Sequence, residues 1–202
     1  MRQPDPQSQR TPPIVVVVAG PAASGKTTLA RTLAGCLHYA LADLDEVTGP
    51  LVEELLSRLG EPAHALDQDL GREIRDSRYR TLAQVTRANL HVGVVVAAPC
   101  TREISTRSEW VRWCDALSPR GEEGVALIYL SSPPAVLAQR LATRGEPRDA
   151  LKIRGVEESP RPAPGVAHFV VDGTGDPESE THAVLQSLGA AAREPGRLTC
   201  SS

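Results

Sequence analysis

A chain of 202 residues, 41% hydrophobic and only 3% aromatic, has room for one domain whose core is built from Leu, Val, Ile and Ala. A formal net charge of −3 and a pI near 6.0 leave no basic excess for nucleic acid, and no apolar run approaches the roughly 18 residues that span a bilayer. Cys36, Cys100, Cys114 and Cys200 make no CxxC pair, and no histidines pair at HxxxH spacing, so neither a zinc site nor a redox dithiol is expected.

Residues 1–13, "MRQPDPQSQRTPP", are polar and proline-rich with no apolar signal core, and read as a disordered leader. Residues 14–19, "IVVVVA", form a continuous β-branched run that suits a central parallel strand buried on both faces. A helix is predicted over 25–38, with Leu29, Leu33 and Leu37 recurring every four residues. "ALADLD" (40–45) reads as a second strand ending in acids, and 50–60 as a helix stopped by glycine. A longer helical pattern runs over about 68–91 through Leu70, Ile74, Leu82 and Val85. Strands are expected at 92–99, 124–133 and 168–173, and helices at 106–117, 134–144 and 177–193. Between the last two strands, 145–166 is rich in Gly, Pro and charge and reads as an exposed, movable lid, and 194–202 as a flexible tail. Strands alternating with helices predict one α/β domain over 14–193, a parallel sheet with helices on both faces.

Gly20, Gly25, Lys26 and Thr27 satisfy G-x-x-x-x-G-K-[ST] between the first strand and the first helix. That spacing wraps a phosphate chain so that successive N–H groups face it. Ala22, Ala23, Ser24, Gly25, Lys26, Thr27 and Thr28 are the expected nucleotide contacts, with glycine allowing unusual dihedrals and close approach. The helix start adds its positive dipole end. Lys26 is expected to reach the β and γ phosphates, and the Thr27 hydroxyl to bind Mg2+.

Other P-loop classes fit poorly. The chain has no N/T-K-x-D base-reading motif and no LSGGQ-like segment, and neither "VVVAAP" nor "ALIYLSS" ends in an acid. The acids come early, as Asp43 and Asp45 after the second strand. Ligands of parallel sheets bind beyond the carboxyl ends of the strands. One acid can serve Mg2+ and the other can accept the proton of a substrate hydroxyl, unless one simply caps the next helix.

With these residues the chain resembles the small P-loop kinases of the shikimate kinase, gluconate kinase and nucleoside monophosphate kinase group, over about residues 14–190. Asp43 and Asp45 lie 17 and 19 residues beyond Lys26, similar to the D-x-D of shikimate kinases. The resemblance implies a magnesium-side role for Asp43 and a substrate-binding, catalytic role for Asp45. "REIRDSRYR" (72–80) is similar to the segment whose arginine grips an anionic substrate, which implies Arg75 for that role. "RLATRGEPRD" (140–149) resembles the helix and lid arginines of the group, and "VVDGTGDPE" (170–178) the turn that borders the adenine. The implied fold is a five-stranded parallel sheet of order 2-3-1-4-5. Where shikimate kinases carry a triple-glycine turn this chain has "AAPC" (97–100), which counts against shikimate itself.

Arg75 and Arg78 are then the expected clamp for an acceptor carboxylate or phosphate, against the plainer expectation that they pair with Glu73 and Asp76. Arg144 and Arg148 are favoured over Arg140 as lid arginines that neutralise developing charge, with Lys152 a further contact. Thr101 and Glu103 are placed to approach the acceptor, and Trp110 and Trp113 belong to the core or a wall of the site. The expectation is a cytoplasmic enzyme, monomer or homodimer, that uses ATP and Mg2+ to phosphorylate a small, anionic acceptor. The alternatives are a nucleotide or nucleoside kinase, a kinase acting on an antibiotic or toxin target, and a non-catalytic nucleotide-binding regulatory module.

Overall fold

The computed structural model describes residues 13–61, 69–145 and 163–193. The leader up to residue 12, most of the expected lid with Arg148 and Lys152, and the tail from 194 lie outside the described residues.

The chain runs β1 (Val15–Ala19), α1 (Lys26–Leu37), β2 (Ala40–Asp43), α2 (Leu44–Leu59), α3 (Asp69–Ala88), β3 (Val94–Ala97), α4 (Arg107–Leu117), β4 (Val125–Ser131), α5 (Pro134–Arg144), β5 (Phe169–Asp172) and α6 (Pro177–Arg193). A 3-10 turn, Gly121–Gly124, leads into β4. All strand pairs are parallel and the order is β2-β3-β1-β4-β5, as the alternation and the resemblance predict.

The valine run explains why β1 is central. Each of its five residues is fully buried, and adjacent side chains enter opposite layers. Val15 and Val17 face a core that holds Leu82 of α3 and Trp110, Trp113 and Leu117 of α4. Val16 and Val18 face a second core with Leu29 and Leu33 of α1 and Val184 and Leu188 of α6. A strand with one polar face could not fill both layers, so the unbroken β-branched run is what places β1 between β3 and β4. The two tryptophans are core, with the Trp113 ring tilted at 59° against Tyr79, centroids 5.4 Å apart.

One element differs from the sequence expectation. The stretch "ALADLD" ends as a strand at Asp43, and Leu44 already opens α2. The cause is Asp43 itself, extended at φ −90° and ψ 129°, whose carboxylate accepts from the N–H groups of Asp45 and Glu46. Pro50, expected near the start of this helix, sits inside it. The return end of the expected lid is also less exposed than anticipated: Val166 belongs to the core, and the Gly165 N–H donates to the Ile104 carbonyl at 2.9 Å.

Candidate functional site

The P-loop joins the carboxyl end of β1 to α1. Gly20 has φ +148°, and a Cβ there would lie 2.7 Å from the Leu130 carbonyl oxygen, so a side chain would pry the loop from β4. Gly25 takes φ +96° as the residue before α1. Ala23 also lies in the left-handed region, at φ +61°. For a residue with a Cβ that conformation costs about 1–2 kcal/mol, and strain of this kind collects at ligand clamps. No side chain caps α1 and its first turn holds no acid, so its leading N–H groups and dipole face the loop uncompensated. The Lys26 ammonium donates to the Pro21 carbonyl at 2.6 Å, which folds it across the loop. Ser24 is buried, and its Oγ has no partner among the described residues.

Asp43 ties this loop to β2. Its Oδ2 accepts from the Thr27 hydroxyl at 2.7 Å, while its Oδ1 caps α2. The residue is 5% exposed, and it pairs across the sheet with Ala97 at the end of β3. Asp43 thus caps the helix, as one sequence expectation had it, and in addition accepts from Thr27. A hydroxyl and a carboxylate in contact are hard oxygen donors of the kind Mg2+ takes, and that ion usually uses one or two protein carboxylates beside phosphate and water. No cluster of three His, Cys, Asp or Glu capable of holding a metal occurs among the described residues.

Asp45, two residues on, occupies the first turn of α2 with an exposed side chain. Its Oδ1 accepts from Arg78 Nη2 at 2.6 Å, and Arg78 Nε donates to Thr48 Oγ1 at 2.8 Å. Arg75 forms a two-pronged pair with Glu103, Nη1 to Oε1 at 2.8 Å and Nη2 to Oε2 at 2.7 Å. Its guanidinium carbon lies 4.0 Å from the centre of the Tyr79 ring. Burial is the largest influence on Arg75 and opposes its charge, but the Glu103 hydrogen bond, with Tyr79, the Glu103 charge and Cys100 adding to it, leaves the pKa raised. Both arginines therefore pair with acids outside their own helix, in place of Glu73 and Asp76.

The turn after β3 carries Cys100 at φ +48°. Its N–H donates to the Tyr79 hydroxyl at 3.0 Å, and Ile104 N–H closes the turn on the Cys100 carbonyl at 3.1 Å. This arrangement replaces the triple-glycine turn: a left-handed cysteine, held from α3, presents Glu103 to Arg75. Burial above all, then Glu103, pushes the Cys100 thiol well above the usual range, so it is inert.

At the far side of the loop, Arg140 Nη1 donates to the Gly173 carbonyl at 2.7 Å and to the Ala23 carbonyl at 3.4 Å. Arg140, ranked behind Arg144 from sequence, touches the P-loop at Ala23. Arg144 stands exposed in the last turn of α5. The bond from Tyr79 to Cys100 and the bridge from Arg140 to two carbonyls have no local sequence signal, because their partners lie 21, 33 and 117 residues away.

Residues 15–157 match the family described as AAA domain. The chain belongs to that AAA domain family. The AAA domain protein is 28% identical over 137 residues to a cytidylate kinase from Haloarcula marismortui, covering 65% of this chain and 58% of the relative. A shikimate kinase from Corynebacterium diphtheriae is 32% identical over 124 residues, covering 59% of this chain and 66% of the relative. The chain thus spans less than two thirds of either relative. Among solved structures, a gluconokinase from Sinorhizobium meliloti superposes with a TM-score of 0.57 at 24% identity, covering 88% of this chain and 93% of that one. In sequence the AAA domain protein is similar to cytidylate and shikimate kinases, and in fold to the gluconokinase.

Proposed function

We propose that the protein transfers the γ-phosphate of ATP to a hydroxyl of a small molecule. The observation that carries this reading is the contact of Thr27 with Asp43, which joins the P-loop to the acid that ends β2. A nucleotide-binding module needs the loop alone, whereas phosphoryl transfer also needs a metal-side acid and a group that orients the acceptor.

In this reading the N–H groups from Ala22 to Thr28 bind the phosphates. The Lys26 ammonium leaves the Pro21 carbonyl for the β and γ oxygens. Thr27 and Asp43 would hold Mg2+, which would supply neutralisation of the phosphate charge. Asp45, held by Arg78 in the first turn of α2, orients the acceptor hydroxyl and receives its proton. Arg144 and Arg148 complete the phosphate side, and Arg140 ties the P-loop to the turn after β5. Arg75 lies on the acceptor side, beyond the ends of β2 and β3. The acceptors named for the relatives, cytidylate, shikimate and gluconate, show the range of molecules that this fold serves. No helix among the described residues is long and apolar enough to cross a membrane, and a cytoplasmic enzyme, monomer or homodimer, is the setting proposed.

The test is ADP release from ATP and Mg2+ against pooled hydroxy acids, sugars, amino acids, nucleosides and nucleotides, with Lys26→Ala as control. Acceptor-dependent ADP in wild type, absent in the variant, establishes the kinase. ATP binding without turnover on any pool refutes it and leaves a regulatory nucleotide-binding module.

A further inference from the structure

We propose that Glu103 sets the acceptor class: by neutralising Arg75 it selects an uncharged, polyhydroxylated acceptor over a carboxylated or phosphorylated one. The inference rests on the kinase reading above and departs from the anionic acceptor expected from sequence. That expectation assumed arginines open to an incoming anion. In the structure Arg75 gives one N–H from each Nη to Glu103, with the Tyr79 ring against its guanidinium. Arg78 gives its Nη2 to Asp45 and its Nε to Thr48.

Position makes this pairing matter. Glu103 is only 8% exposed, and it follows the end of β3, the strand that pairs with β2 so that Ala97 lies beside Asp43. An acceptor carboxylate laid on Arg75 would come within a few ångströms of the Glu103 carboxylate, where little water screens the repulsion. It would also have to displace a two-pronged pair whose members are both partly or mostly buried. Like charges brought together in this way discriminate by about tenfold or more. Hydroxyls face no such conflict. The pair leaves the Nε–H of Arg75, one N–H on each Nη and further lone pairs on Glu103, a mixture of donors and acceptors that neutral hydroxyls match in either sense.

Glu103 acts here as a positioning residue through Arg75, and its turn is built for that. Cys100, left-handed and anchored by the Tyr79 hydroxyl, closes on Ile104, so Glu103 and Arg75 are both fixed by Tyr79, one through the turn and one through its ring.

The experiment compares two acceptor pools by ADP release: uncharged sugars, polyols and nucleosides, and hydroxy acids with phosphorylated hydroxyl compounds. Glycerol with D-glycerate and D-glucitol with D-gluconate supply pairs matched in carbon skeleton. Each compound is measured with wild type, Glu103→Gln and Glu103→Asp, and melting temperatures confirm that the variants fold. Wild type should turn over an uncharged acceptor with kcat/KM at least about tenfold above its carboxylated counterpart. Glu103→Gln should narrow or invert that ratio, and Glu103→Asp, which keeps the charge, should restore it. A merely structural role would lower both rates together and leave the ratio where it was. Turnover confined to carboxylated or phosphorylated acceptors overturns the charge argument and leaves the kinase standing. An unchanged ratio in Glu103→Gln overturns it equally. ATP binding with no turnover on either pool refutes the kinase reading, and this inference falls with it.

Discussion

Asp43 serves two masters, and a pair of substitutions separates them. Asp43→Ala removes the cap on Asp45 N–H at 2.9 Å, the weaker one on Glu46 N–H at 3.4 Å, and the bond from Thr27 at 2.7 Å. Loss of an N-cap costs about 1 kcal/mol, and loss of the Thr27 bond about 1 more. For a chain of this size each kcal/mol moves Tm by roughly 2–4 °C, so the expected fall is about 4–8 °C. Asp43→Asn keeps an oxygen that caps as well as a carboxylate does, and its Tm should stay within about 2 °C of wild type. Turnover should not follow Tm. Both variants lack the carboxylate proposed to serve the metal, and on that proposal both should lose about 100-fold or more in kcat. Scanning calorimetry and an ADP-release assay over a Mg2+ titration read the two effects apart. If Asp43→Asn melts as low as Asp43→Ala, the capping account is wrong. If Asp43→Asn turns over like wild type, Asp43 has no metal role.

Tyr79→Phe leaves the buried Cys100 N–H without its acceptor, so the urea midpoint should fall by an amount equivalent to about 1–3 kcal/mol with the m-value unchanged; an unmoved midpoint would show that the bond contributes nothing. In the native protein at pH 8, iodoacetamide should label exposed Cys36 and spare Cys100 and Cys114, because burial, with Glu122 and Asp115 beside it, pushes the Cys114 thiol up to about 12 and burial holds Cys100 higher still. Peptide mass spectrometry checks this, and rapid labelling of Cys100 would contradict it. The Glu180 carboxyl is raised by burial, against the pull of Arg140 and with the push of Asp172 and Asp176. A carboxyl held above its unfolded value adds stability below that value and loses it as pH rises through the folded one. Glu180→Gln should therefore melt higher than wild type at pH 7, with the difference shrinking towards about pH 4; an equal gain at both pH values would rule out the titration as its cause.

The parts legible in the sequence were those written in contiguous residues. "IVVVVA" announces a strand buried on both faces, G-x-x-x-x-G-K-T announces the loop, and α5 and α6 begin and end where their patterns do. The start of α2 was obscured because Pro50 imitates a helix start while the true cap, Asp43, looks like the end of an acidic strand. The partners of the site arginines were illegible for a different reason. Glu73 and Asp76 are near Arg75 and Arg78 in sequence, but the fold brings Glu103 from the turn after β3 and Asp45 from α2. Helical periodicity indicates which side of α3 carries the arginines; only the sheet order brings β2 and β3 together to supply their counter-charges.

The central position of β1 has a consequence for how the chain is made. Val15 pairs with Val94 on one side and with Val125 on the other, so the first of the five sheet strands to be made waits for the third and fourth before it is paired. At about 5–20 residues per second, the interval before β4 emerges is of the order of ten seconds. Through that interval four adjacent valines, with no charge among them, stand as an open template for any other extended chain. The feature that secures the sheet once it is complete is thus the same one that makes the nascent protein most prone to association with its own copies.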